Sequence, residues 1–158
     1  MKALNLFCII VALTVTETTS RAADDCDLLA VKIAASYRGA SVERRTEANI
    51  ILFRHPQIGG FQLLCPGFPG QNPAVTLSAD TAYPSAYFWE AIGNLGALVT
   101  QKSKNSILAG AQQCDRTALT SKDELAEIES DGLKVECQAF TRDGGGTLVT
   151  LYKIQGAR

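Results

Sequence analysis

Histidine is almost absent from this chain of 158 residues: His55 stands alone. One imidazole rules out every multi-histidine metal site and leaves a single candidate base for any serine or cysteine nucleophile. No serine lies in a nucleophile-elbow context, and the acids do not fall at the spacing of a calcium-binding loop. The cysteines include no Cys-x-x-Cys pair, the usual form of a redox-active dithiol. Gly144-Gly145-Gly146 lacks the Lys-Ser/Thr and the helix that a phosphate loop needs, so it reads as a strand connection. No catalytic residue, metal site or cofactor is therefore assigned. Basic excess is missing too. With Lys2, Arg21 and Glu17 removed as part of a leader, 15 basic and 16 acidic residues become 13 and 15, which argues against a nucleic-acid partner. Nor is any apolar run close to the roughly 20 residues that span a bilayer as a helix.

What is present begins with that leader. Lys2 supplies a positive charge, Leu4 to Val15 is an almost unbroken apolar run, and small residues follow at Ser20, Ala22 and Ala23. The run is too short for an anchor and ends in polar Thr16 to Ser20, the form of a secretory signal cleaved after Ala22. Cys8 leaves with it. Residues 1–22 are expected to be a signal peptide and 23–158 a single domain, exported to the periplasm or beyond, with no stable membrane insertion after cleavage.

Asp24 and Asp25 suit a helix start, and Cys26, Leu29, Ala30, Ile33, Ala34 and Tyr37 recur at helical spacing before Gly39. An extended segment is expected over Val42 to Arg54, stopped by His55-Pro56. Phe61, Leu63 and Cys65 share one face of a second strand, the turn-rich stretch Pro66 to Pro73 follows, and Val75, Leu77 and Ala79 mark a third. Pro84 and Ser85 open a helix with Phe88, Ala91, Ile92, Leu95, Leu98 and Val99 on one side. Gly93 and Gly96 weaken it unless another element packs closely there. Ile107, Ala111, Cys114 and Ala118 share a face of a further helix from Ser106. Ser130-Asp131-Gly132 reads as a hairpin turn between Ala126 and Ile128 and the strict alternation Leu133, Val135, Cys137, Ala139. Asp143 to Gly146 then turns into a last strand through Leu148, Thr150, Tyr152 and Ile154.

Both halves thus run from a helix with an inward cysteine to strands carrying a second one, a pattern of weak internal duplication. The fold class that follows is α+β, helices packed on an antiparallel sheet and held by two disulfides formed by Cys26, Cys65, Cys114 and Cys137. Four cysteines allow three pairings and spacing alone does not choose. If each helix is tied to its own strands, the bridges are Cys26 to Cys65 and Cys114 to Cys137, with all four sulfurs in the core.

Three surfaces are candidates for binding. Tyr83, Tyr87 and Trp89 concentrate aromatics of the type that dominates interface energetics when exposed. Phe68 stands between prolines and glycines on the Pro66 to Pro73 loop. Arg44 and Arg45, with Arg54 and His55, form a basic patch suited to an anion. Among the acids, Glu127 and Glu129 alternate as a solvated strand face does, Asp80 stands alone, and Glu90 follows Tyr87-Phe88-Trp89. His55 reads as a surface turn residue. Glu90 or His55 would serve if the protein were a small envelope hydrolase.

The start Cys26-Asp27-Leu28-Leu29-Ala30, the turn Leu64-Cys65-Pro66 and the strand Glu136-Cys137-Gln138, behind a short leader, resemble small exported proteins of rhizobia-type alphaproteobacteria, among them those of the nodule formation efficiency type. That resemblance implies a role in host association, names no reaction and carries over no site residue. The expected function is a non-enzymatic binding or accessory factor for an unidentified protein or envelope ligand. The alternatives are the hydrolase and an inhibitor or immunity-like protein acting through the Phe68 loop.

Overall fold

The computed structural model describes residues 17–67, 71–154 and 156, with side chains from Asp25 onward; the leader's apolar run and Phe68 lie outside the described residues. Three helices and seven strands follow in the order α1 (Glu17–Ser36), β1 (Ser41–Arg45), β2 (Ile50–Arg54), β3 (Gly60–Leu64), β4 (Ala74–Ala79), α2 (Ala86–Thr100), α3 (Lys104–Thr120), β5 (Leu125–Ser130), β6 (Leu133–Phe140) and β7 (Gly146–Lys153). All strands belong to one antiparallel sheet of order β1-β2-β3-β4-β7-β6-β5, so the fold is α+β. Apart from β1, the order reads alike from both ends, with β4 paired to β7 between the halves. The expected duplication is therefore joined edge to edge into a single sheet.

All three helices contribute to the core on one face of the sheet. Ile51, Phe53, Phe61, Leu63, Val75 and Leu77 from the first half and Val135, Cys137, Val149 and Leu151 from the second are buried there. The period-2 alternation of each strand sends the intervening residues to the other face, which no helix of the described residues covers. Helix α1 buries Cys26, Ala30 and Ile33, a narrow stripe at helical spacing that Tyr37 extends just past the helix end. Helix α2 is capped by Ser85, whose Oγ accepts from Phe88 N–H at 3.4 Å, and α3 by Ser103, which accepts from Ser106 N–H at 3.2 Å. The two α2 glycines are explained by contact. A Cβ on Gly96 would stand 2.7 Å from Ile107 Cγ2 and 2.8 Å from Leu151 Cδ1, and one on Gly93 would stand 3.0 Å from Leu108 and Lys104.

Both bridges pair within their halves, Cys26 with Cys65 and Cys114 with Cys137, each over a Cα separation of 5.8 Å. Cys26, Cys114 and Cys137 are buried, but Cys65 lies just past β3 and is only half-buried, so the first bridge sits at the rim of the core.

Two local expectations are corrected, and the facing of the last strand is settled. Helix α1 is already formed at Glu17, the first described residue, so Asp24 and Asp25 lie inside it; the stretch from Glu17 to Ser36 contains no glycine or proline to interrupt a helix. The segment from Val42 to Arg54 is two strands. Thr46 N–H bonds Ile50 O at 2.8 Å across a turn in which Asn49 takes φ 58°. Asparagine supplies the left-handed residue that glycine more often marks, which is why the turn is silent in the sequence. The last strand points Val149 and Leu151 into the core, while Leu148, Thr150 and Tyr152 face the other way.

Candidate binding surface

The uncovered face is built from cross-strand rows fixed by register. One row runs the full width of the sheet: Arg44, Leu52, Gln62, Thr76, Thr150, Glu136, Glu127. Beside it lies Ile50, Leu64, Ala74, Tyr152, Lys134, Glu129. In the second row the N-terminal strands contribute the apolar Ile50, Leu64 and Ala74 and the C-terminal strands the charged Lys134 and Glu129, while the first row runs from Arg44 to Glu136 and Glu127. The Thr76 and Thr150 hydroxyls bond each other at 2.9 Å where the halves join.

Lys134 is the hub of the charged end. Its Nζ lies 2.7 Å from Glu127, 3.5 Å from Glu129 and 3.6 Å from Glu136, and 5.9 Å from the centroid of the Tyr152 ring. Tyr152 Oη donates to Glu136 Oε1 at 2.7 Å. The hydrogen bond to Glu127 holds the Lys134 ammonium well above its ordinary range, and burial, followed by the bond to Glu136, raises the Tyr152 phenol. Three carboxylates around one lysine leave this end with a net negative charge.

Two clefts open on the face. One, of about 550 Å³, is walled by Leu64, Pro66, Ala74, Tyr152 and Ile154, with Glu129 and Lys134 on its polar side. The other, of about 490 Å³, lies over Leu125, Glu127, Glu136, Leu148 and Thr150. Both volumes fall in the range of ligand-sized clefts. The wet strand face was legible from the alternation of Lys134, Glu136 and Gln138. That Tyr152 and Leu64 share it was not, because the β4 to β7 pairing that brings them together is long-range.

The residues singled out from sequence do not form one site. Tyr83 is 75% exposed, whereas Tyr87 and Trp89 are half-buried and pack against the core beside buried Phe88. The basic patch is dismantled. Arg45 is held by Asp27 at 2.7 Å and Arg54 by Glu43 at 3.0 Å, which leaves Arg44 as the member of the patch with no ion pair among the described residues.

His55 is buried, contrary to its reading as a surface turn residue. Gln57 N–H donates to Nδ1 at 3.1 Å, so the neutral ring carries its proton on Nε2, which faces Arg38 O at 3.2 Å and Tyr87 Oη at 2.9 Å. One imidazole thereby ties the end of α1, the β2 to β3 turn and the start of α2 together. Tyr37 packs beside it with its hydroxyl buried and without a hydrogen-bond partner among the described residues, and that burial pushes its phenol up, with Tyr87 and Glu90 adding to the effect. Glu90 is exposed and pairs with Lys104 at 3.6 Å. These are the bonds of a structural junction.

No helix of the described residues is long and apolar enough to cross a membrane, and those residues contain no group of three or more potential metal ligands. No known family model matches the chain, and no curated protein or solved structure is significantly similar to it.

Proposed function

We propose that the chain is an exported, non-enzymatic binding or accessory factor that engages another protein through the uncovered face of its sheet, in the periplasm or outside the cell. The supporting observation is that, among the described residues, a seven-stranded sheet has one face without a helix layer while two clefts open upon it. Large exposed faces that mix apolar and charged groups are where partners dock. The two disulfides indicate an oxidising, non-cytoplasmic environment, which suits an envelope or host-facing role. The resemblance in the cysteine-containing segments favours host association, such as nodulation, as the setting.

Complementation of a deletion strain tests this reading against the hydrolase. Leu52→Lys and Thr150→Lys, on the uncovered face, are expected to abolish the role at normal protein abundance. Glu90→Gln is expected to leave it intact, and His55→Ala to reduce it only in proportion to protein lost. His55→Ala should also cost about 2 kcal/mol in a denaturant melt, because it strands buried hydrogen-bonding groups. Loss of the role by Glu90→Gln at normal abundance, with the two face variants fully active, would replace the binding reading with an enzymatic one.

A further inference from the structure

The wide cross-strand row has opposite charge at its two ends. Arg44 on β1 is exposed and has no ion pair among the described residues, while at the far end Glu127 and Glu136, with Glu129 beside them, outnumber Lys134. Thr76 on β4, the fourth of seven strands, stands at the middle. A row that is positive at one end and negative at the other complements its own image under a two-fold rotation about its centre.

We propose that, when no other protein occupies it, the uncovered face packs against the same face of a second copy, about a two-fold axis running close to the direction of β4. This rests on the reading of that face as a protein-binding surface, and it names the occupant that masks the surface in the free protein. The rotation sets β1 of each copy over β5 of the other, and Arg44 opposite Glu127. In the neighbouring row it sets Leu64 against Tyr152 of the second copy and Ala74 beside its own equivalent. The shape permits this. A twisted sheet is a saddle, and rotation about an axis along its central strand generates a saddle of the same hand that nests at constant spacing, about 10 Å for stacked sheets. Seven strands, each about six residues long, span about 30 Å by 20 Å, which gives roughly 1,200 Å² over both copies, at the lower end of specific interfaces. A dimer of that size is reversible, as a masked binding surface must be.

Sedimentation equilibrium of the full oxidised protein tests the proposal. The expected result is a monomer-dimer equilibrium weakened about tenfold or more by Arg44→Glu and by Glu127→Arg, since each sets like charges against each other twice per dimer. Mixing those two variants should restore association, because the mixed dimer re-forms both opposed pairs, and the double variant should self-associate again. Arg44 is exposed and without an ion pair, so its substitution leaves the core intact. Ala74→Arg, placed near the axis, should be monomeric with a cooperative melt that shows the fold is kept. A wild-type monomer at every concentration up to the millimolar range, or no gain on mixing, would overturn the dimer. A photocrosslinker at Gln138 separates this from the functional reading. An adduct of twice the chain mass supports the dimer; adducts with other envelope proteins but none of twice the mass reject it and leave the binding role standing.

Discussion

The two halves close their disulfides over the same Cα separation, yet they stabilise their helices differently. In the first half α1 meets α2 just past its C-terminal end, where the Tyr37 and Tyr87 ring centroids are 6.0 Å apart, buries one narrow stripe, and leaves Leu28 and Val31 more than 60% exposed; its bridge ends at the half-buried Cys65. In the second half α2 and α3 interlock through Gly93 and Gly96, and the bridge lies wholly in the core between α3 and the middle of β6. Where packing is thin, the covalent tie does most of the holding. Where two helices interdigitate, it reinforces an interface that apolar burial already secures.

Removing each bridge is the strongest way to break that comparison. Closing loops with separations of 39 and 23 residues contributes about 4 and about 3.5 kcal/mol in the chain-entropy model, so the totals are similar. The manner of failure should differ. Cys65→Ser is expected to release α1 locally, with proteolysis between Leu28 and Lys32 and early amide exchange confined to that helix. Cys114→Ser should lower the cooperative melt of the whole domain. Simultaneous loss of protection in both halves of the Cys65→Ser variant would show that α1 is not independently held.

A smaller effect is expected from Gly96→Ala. The added methyl meets Ile107 and Leu151 below van der Waals distance, so overpacking should cost about 1 to 3 kcal/mol in a denaturant melt, despite alanine's better helix propensity. A stabilised variant would mean that α2 and α3 can part without loss, and the contrast between the halves would weaken.

The smallest change concerns Asp115, buried on α3 with Oδ1 lacking a hydrogen-bond partner among the described residues. Burial raises its carboxyl pKa, and the Thr147 hydroxyl and Arg116 oppose this more weakly. The folded chain therefore holds the proton more tightly than the unfolded one. Its stabilising effect is complete below the unfolded carboxylate range and is lost as pH rises through the folded value. Asp115→Asn should remove that part of the pH dependence and gain about 1 kcal/mol at neutral pH, read as the difference between Tm profiles across acidic and neutral pH. An unchanged profile would mean that the carboxyl is solvated.

The sequence by itself determined what depends on neighbours along the chain. Period-2 alternation in Leu133 to Ala139 set the inner and outer faces of β6, and helical spacing set the buried stripe of α1, whereas spacing left three cysteine pairings open and the fold decided between them. The polar turn at Thr46 to Asn49 escaped because asparagine, without glycine or proline, made it. Burial of His55 depended on Arg38 and Tyr87, far from it in sequence, and no local pattern encodes such contacts. Pairing of β4 with β7 was equally a tertiary decision. It joins strands some 70 residues apart, merges two small sheets into one, and lays Arg44 and Glu127 at opposite ends of a single row. Alternation states which side chains face away from the core; only long-range strand pairing states which of them become neighbours, and the candidate binding surface consists of those neighbours.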